Sequence, residues 1–160
     1  MLAPCRILVP GAGRSTEPLA LAEAGFSVTV VDSAPTAVAT QRSRLERMHM
    51  TAQVELADLF AWQAPFPFDA IYDQACLCAL PPDLWPAYVT RLHAWLRHDG
   101  RLFILFMQTG KDGGPPFHCG ISAMRALFDQ AHWNWPTALS EMVPHPSGVG
   151  TEQPVVLSRL

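Results

Sequence analysis

The stretch CRILVPGAGRSTE, residues 5–17, determines how the chain begins to fold. Its apolar run has the length of a strand and leads directly into a turn that contains Gly11 and Gly13. A segment with helical periodicity, STEPLALAEAG at 15–25, comes next, and a second apolar run, FSVTVVD at 26–32, follows it. The order strand, helix, strand predicts a βαβ unit with two parallel strands.

The same alternation continues along the chain. Further strand-like runs lie at 52–58, 68–73 and 101–107, and helix-like segments lie at 34–48, 82–96 and 122–131. This pattern predicts an α/β protein with a doubly wound, mostly parallel, Rossmann-like sheet. Near the end, TALSEMV at 137–143 and PVVLSRL at 154–160 flank a stretch with Pro and Gly, which predicts a terminal hairpin. With 160 residues, 49% of them hydrophobic, the whole chain 1–160 fits a single domain.

Composition excludes several classes of function. A net charge of -3 supplies no basic surface for nucleic acid, so we expect no nucleic-acid partner. No apolar run approaches the ~18 residues of a membrane span, so we expect no membrane partner. The four cysteines form no C-x-x-C pair, which favours reduced thiols in the cytoplasm and argues against a metal site.

The turn after the first predicted strand is a candidate ligand site. Pro10, Gly11, Ala12 and Gly13 form it, and the absence of side chains at the glycines lets a ligand approach the backbone N–H groups at the start of a helix. A dinucleotide fingerprint requires a third glycine where Thr16 stands, which argues against NAD. The alternative is an ordinary tight turn between strand and helix.

Two carboxylates end the next two predicted strands. Asp32, with Ser33 beside it, is placed to accept hydrogen bonds from ribose hydroxyls. Asp58 is placed to accept one from the exocyclic amine of an adenine that Leu59 and Phe60 would flank. The alternatives are a helix cap for Asp32 and a solvated turn for Asp58.

Four segments in order, LVPGAG, VVD, ADLF and FDAIYDQACLCALPP, resemble the thiopurine and thiol methyltransferase branch of class I methyltransferases. In that branch a Val-Pro pair, here Val9 and Pro10, replaces the usual acidic residue before the glycine turn. The resemblance covers roughly residues 5 to 130 and extends to GGPPF at 113–117. It implies S-adenosyl-L-methionine as cofactor, S-adenosyl-L-homocysteine as product, and a seven-stranded sheet in the order 3-2-1-4-5-7-6 with the last strand antiparallel.

The fourth predicted strand ends in Tyr72, Asp73 and Gln74, which we expect to line the cleft as catalytic residues, with Asp73 also touching the cofactor. The alternative is that Tyr72 packs in the core and Asp73 caps a turn. Gln74 stands where thiopurine methyltransferases have an arginine, so we assign it to the substrate site together with Phe117 and His118.

The resulting hypothesis is methyl transfer to a small soft nucleophile such as a thiol. Two alternatives stay open: an oxygen or nitrogen acceptor, with Asp73 or His118 as base, and a module that binds the cofactor without catalysis. Longer relatives carry an N-terminal segment that covers the site. Because the first strand begins near residue 5 here, we expect an open cleft that a homodimer would close.

Overall fold

A single sheet organises the molecule in the computed structural model, which describes residues 4–160. The strands are β1 (Arg6–Pro10), β2 (Ser27–Asp32), β3 (Gln53–Leu56), β4 (Phe68–Asp73), β5 (Leu96–Gln108), β6 (Trp133–Asn134), β7 (Val143–Pro144) and β8 (Thr151–Arg159). Their order is β3-β2-β1-β4-β5-β8-β6, and β7 pairs with β8. Strands β1 to β5 are parallel, whereas β8 is antiparallel to its neighbours.

The predicted fold class and strand order are therefore confirmed, with β8 as the predicted last strand. The sheet has eight strands instead of seven because the two-residue strand β7 adds to β8. Residues 1–3 of the predicted domain lie outside the described part of the chain.

Five helices connect the parallel strands and their antiparallel end. They are α1 (Glu17–Glu23), α2 (Pro35–Arg47), α3 (Cys76–Ala79), α4 (Trp85–Trp95) and α5 (Ile121–Leu127), with a short 3-10 helix at Pro82–Leu84 before α4. Proline occupies the first turn of α1, α2 and α4, where its missing N–H costs no helical hydrogen bond. Gly25 follows α1 at a φ of 88°, the left-handed conformation that commonly ends a helix.

The two faces of the sheet are covered unequally. Leu102, Ile104 and Phe106 of β5 point to the side of α3, α4 and α5 and are at most 2% exposed. Between them on the same strand, Phe103 points to the opposite face and is 37% exposed. Its neighbour across the antiparallel pair, Val156 of β8, is 41% exposed. Helices α1 and α2 cover this second face beside β1, β2 and β3, whereas two grooves run along it at β4, β5 and β8.

The terminal hairpin differs from its predicted form. Of TALSEMV at 137–143, only Val143 pairs with β8, together with Pro144. Pro136, Pro144 and Pro146 lack the N–H groups that a long ladder requires, so most of this segment is irregular. The turn itself forms, because the His145 N–H donates to the Gly150 carbonyl at 3.0 Å.

Candidate active site at the carboxyl ends of the strands

The glycine turn after β1 is fixed from two sides. Gly11 has a φ of 56° and Gly13 one of 54°, a region that other residues rarely adopt. The Gly11 N–H donates to the Val31 carbonyl of β2 at 2.8 Å. On its other side, a Cβ added to Gly11 would stand 2.6 Å from the Cys76 sulfur of α3. Glycine at position 11 is thus required both by the backbone conformation and by the approach of α3.

A buried glutamine on α2 holds the outer part of this turn. Gln41 is fully buried, and its side-chain N–H group donates to the carbonyls of Gly13 at 3.0 Å and Ser15 at 2.9 Å. Arg44, one helical turn later, also donates to the Ser15 carbonyl. The sequence analysis missed Gln41. Its signal is a polar residue on the apolar face of α2, between Val38 and Leu45.

Asp32 performs the role at the start of a helix that was considered as its alternative from the sequence. One carboxylate oxygen accepts the Gly13 N–H at 2.8 Å, and the other accepts the Ala34 N–H at 2.8 Å, at the start of α2. The residue is 7% exposed, whereas Ser33 beside it is exposed. Asp32 therefore links the glycine turn to the next helix, and each of its oxygens keeps a lone pair for a further donor.

Asp58 lies at the same edge of the sheet. The Ala57 N–H donates to the Asp32 backbone carbonyl at 3.0 Å, which places Asp58 directly after the point where β2 and β3 end. The Asp58 side chain is exposed and accepts the Phe60 N–H at 2.8 Å. Of the two residues expected to flank an adenine, Phe60 is half-buried, whereas Leu59 is 8% exposed and packs in the core.

Asp73 does not line the cleft that the sequence analysis assigned to it. It is 1% exposed, and its carboxylate accepts hydrogen bonds from the Tyr88 hydroxyl at 2.9 Å and from the N–H of Cys76 at 2.9 Å and Leu77 at 3.4 Å. Burial raises the pKa of Asp73 to about 6, while these hydrogen bonds lower it. Its contacts make it an anchor for the start of α3 and for α4, because alternation along β4 points it to the same face as buried Ile71.

Tyr72 and Gln74, on either side of Asp73, face the site. Both are half-buried, and they line a small cavity of about 20 Å³ whose other walls are the glycine turn from Val9 to Ala12, Ser15 and Ala75. The structure thus brings Tyr72 and Gln74 together with Pro10, Gly11 and Ala12, as predicted for a shared cleft.

A second cavity lies beside Gln74, under the loop after β5. It has a volume of about 310 Å³ and is lined by Cys78, Met107, Pro115, Pro116, His145 and four smaller or exposed neighbours. Phe117 and His118, the predicted substrate residues, are not part of this wall. The Phe117 N–H donates to the Cys78 carbonyl at 2.7 Å, and exposed His118 accepts the Gly110 N–H at 3.2 Å. They hold the loop, and the two prolines before them face the cavity.

The sequence analysis did not identify two glutamates near this cleft. Glu17 opens α1, Glu152 lies in β8, and each has a buried carboxylate oxygen without a hydrogen-bond partner among residues 4–160. Both negative charges, after burial itself, raise the pKa of Tyr72. The available signal was weak: Glu152 interrupts the apolar pattern of a strand, but Gln153 beside it does the same.

Metal and membrane features are lacking in the part of the chain that the structure describes. Residues 4–160 contain no group of three or more His, Cys, Asp or Glu side chains arranged to hold a metal ion. Within the same residues, no helix has both the length and the apolar content that a membrane span demands.

Comparison with known proteins shows which family the chain resembles. The family model of thiopurine S-methyltransferases matches residues 1–153. The chain is 31% identical over 122 residues to thiocyanate methyltransferase 1 of Brassica oleracea, covering 73% of this chain and 53% of that one. It is 32% identical over 142 residues to the thiopurine S-methyltransferase of Legionella pneumophila, covering 78% and 64%. The chain thus spans between half and two thirds of these relatives' length.

Solved structures show the same fold. A didemethyltoxoflavin methyltransferase of Burkholderia thailandensis, crystallised with S-adenosylhomocysteine, superposes with a TM-score of 0.78 at 23% identity, over 98% of this chain and 71% of that one. The resemblance stated from the four sequence segments is confirmed by the family model, which extends over both carboxylates and the glycine turn. This chain belongs to the thiopurine S-methyltransferase family.

Proposed function

We propose that this chain binds S-adenosyl-L-methionine along the carboxyl ends of β1 to β4 and transfers its methyl group to a small soft nucleophile such as a thiol. The observation that carries this proposal is the succession at one sheet edge of the glycine turn, Asp32 and Asp58, in a chain of this family. Relatives named for thiol, thiocyanate and thiopurine substrates support a sulfur acceptor.

The residues at this edge fit the parts of the cofactor. Asp32 has lone pairs left for ribose hydroxyls, and Asp58, whose side chain is exposed, suits the adenine amine beside Phe60. The cavity at the glycine turn is about 20 Å³, too small for an amino-acid group, so we expect the Gln74 side chain to change rotamer on binding. The cofactor supplies a methyl group already activated on a sulfonium, so the chain mainly has to orient the acceptor, which is worth roughly 7 to 11 kcal/mol.

The surroundings of the second cavity favour a small, uncharged acceptor. Its wall of Cys78, Met107, Pro115 and Pro116 is mostly apolar, and no Lys or Arg lies in it. Gln74 offers an amide where an arginine would make a bidentate contact with a carboxylate. An apolar wall also excludes water, which weakens the hydration of the acceptor sulfur before it attacks.

Cys78, in the wall of the second cavity, is not a thiolate in the folded chain. Burial raises the pKa of both Cys78 and Cys119 to about 12, so both remain protonated at neutral pH. All four cysteines, which lie in the described residues, are free thiols, and this supports our proposal of a cytoplasmic location.

The acceptor class is tested by comparing specificity constants. We expect kcat/KM for mercaptoethanol to exceed that for a carboxylated aromatic thiol, because Gln74 cannot neutralise the carboxylate. Small phenols and primary amines are the oxygen and nitrogen counterparts in the same assay. A higher kcat/KM for one of these would favour the alternative acceptor, and a higher value for the carboxylated thiol would contradict the role of Gln74.

The open sheet face supports a further proposal, self-association with a second copy of this chain. Two grooves of about 340 and 620 Å³ run along it and share Tyr72 and Phe103. One end carries the exposed residues Asp99 and Arg101. A two-fold axis would bring Asp99 of each copy against Arg101 of the other, since such an interface uses the same patch on both.

A further inference from the structure

Glu152 is a carboxylate enclosed by the sheet and left without a full set of partners. It lies on β8 opposite Met107 of β5 on one side and Val143 of β7 on the other, and it is 2% exposed. One of its oxygens has no hydrogen-bond partner among residues 4–160. An unpartnered buried carboxylate destabilises a fold, so its presence calls for a chemical reason.

The imidazole nearest to it lies outside hydrogen-bond distance. The His145 Nε2 atom is 3.9 Å from that free oxygen, which is beyond hydrogen-bond distance. His145 Nδ1 accepts the backbone N–H of Ser147 at 3.1 Å, so in the neutral ring the proton sits on Nε2 and faces Glu152. His145 therefore leaves the free oxygen of Glu152 without a hydrogen-bond donor.

Glu152 is adjacent to both cavities of the candidate site. Met107 and His145, its neighbours, form part of the wall of the 310 Å³ cavity. Gln74, which lines the cavity at the glycine turn, contacts the carboxylate closely enough to lower its pKa, as does His145, although burial has the larger, opposite effect. Movement of Gln74 on cofactor binding would expose the free oxygen to an acceptor located between the cavities.

The charges around Glu152 favour its acceptance of a proton. Glu17 on α1 adds a second negative charge, and besides His145 the titratable groups that the charge of Glu152 reaches from β4 and α3 are Tyr72 and Cys78. Burial raises the pKa of both Tyr72 and Cys78. A negative cluster repels an acceptor that arrives as an anion, but it assists a neutral acceptor that must lose a proton.

Resting on the proposed function, we propose that Glu152 is the catalytic proton acceptor, and that the enzyme takes its thiol in the protonated form. The thiol sulfur forms a bond to the methyl carbon while the bond from that carbon to the cofactor sulfur breaks and leaves its electron pair there. The thiol proton passes to the free oxygen of Glu152. The sulfonium charge and the carboxylate charge disappear together, so no net charge is created in the buried site.

The test compares acceptors that carry a proton with acceptors that do not. Mercaptoethanol must lose a proton during methyl transfer, whereas iodide and thiocyanate are anions without one. At pH 7, Glu152→Gln should lower kcat/KM for mercaptoethanol by about a hundredfold or more, the usual size of general-base catalysis. Its kcat/KM for iodide and thiocyanate should stay the same or rise, because one negative charge has been removed. The matched control is Glu141→Gln, the same substitution at an exposed glutamate outside the strands.

The outcomes separate this role from the proposed function. Equal loss with mercaptoethanol and iodide, or no loss with either, would overturn the role of Glu152 while leaving methyl transfer in place. No product from the wild-type protein with any acceptor would overturn the proposed function itself. If Glu152→Gln no longer binds S-adenosylhomocysteine, Glu152→Asp replaces it: the carboxylate is withdrawn by one methylene, and the same selective loss with mercaptoethanol is expected.

Discussion

At the scale of single residues, Asp32 has a role in the fold and, in our proposal, a second role toward the ligand. It accepts the N–H groups of Gly13 and Ala34, and we propose that its remaining lone pairs accept the hydroxyls of a ribose. We expect Asp32→Ala to reduce the affinity for S-adenosylhomocysteine at least tenfold, because hydrogen bonds to a charged acceptor are worth about 1.5 to 3 kcal/mol each. Isothermal titration calorimetry measures it, with Glu46→Ala, an exposed acid of α2, as control. Unchanged affinity in Asp32→Ala would contradict the ribose assignment.

Asp73 makes stability depend on pH in a defined direction. Its pKa in the folded chain is about 6, above the ~3.9 of an unfolded chain, so between these values the folded state binds more protons. The free energy of unfolding contributed by this group therefore falls as pH rises through that window, by an amount on the order of 2 to 3 kcal/mol. Urea unfolding at pH 4.5, 6 and 7.5 should show this decline in the wild-type protein.

The control is Asp73→Asn, which retains an oxygen for the N–H of Cys76 but does not titrate. Subtracting its unfolding free energies from those of the wild-type protein removes the contributions of other groups, including Asp69, whose pKa is lowered, chiefly by the hydrogen bond from the Arg6 backbone N–H. A difference that stays constant across the three pH values would show that Asp73 keeps its ordinary pKa.

The sequence predicts a site residue where local spacing positions it, and misses one that a contact between distant segments positions. Gly11, Asp32 and Asp58 stand where apolar runs end, so sequence spacing alone brings them to one sheet edge. Asp73 occupies an equivalent position, yet its side chain turns inward to Tyr88, fifteen residues away on α4. Glu152 and Gln74 come together only because β8 inserts beside β5, a contact between distant parts of the chain that local patterns do not encode.

At the scale of elements, side chains of β5 point alternately into the core and to the open face of the sheet. Phe106 is fully buried among Phe128 and Trp135, with ring centroids 5.6 and 6.0 Å away. We expect Phe106→Ala to lower the free energy of unfolding by about 3 to 5 kcal/mol, since it leaves a cavity in the core. Phe103→Ala, three residues earlier on the open face, should cost about 1 kcal/mol or less. Chemical denaturation of both variants checks this, and similar losses would contradict the unequal covering of the two faces.

The parallel elements were predictable because each one has its own hydrophobic period. Strands β1 and β2 are nearly continuous apolar runs, typical of strands buried on both faces, and the helices after them repeat at helical spacing. The antiparallel end was predicted less well. Its residues 137–143 have strand-like composition, but the prolines nearby limit β7 to two residues.

At the scale of the whole molecule, the open face of the sheet predicts self-association. We expect sedimentation velocity to show a dimer whose fraction increases with protein concentration, and Phe103→Glu to abolish it by placing a charge in the groove. Leu56→Glu changes an exposed apolar residue on β3, distant in the sheet from β5, and should leave the dimer intact. A wild-type protein that sediments as a monomer at every concentration would contradict a second copy as the occupant of this face.

The measurement that tests the central claim most directly follows the methyl group itself. Purified protein is incubated with S-adenosylmethionine carrying a deuterated methyl group and with mercaptoethanol, and mass spectrometry quantifies the labelled product and S-adenosylhomocysteine. The account predicts that both appear in equal amounts and that Asp32→Ala, which weakens cofactor binding, reduces both together at limiting cofactor. Binding of S-adenosylhomocysteine without a labelled product from any thiol, anion, phenol or amine would contradict catalysis and identify a cofactor-binding module instead.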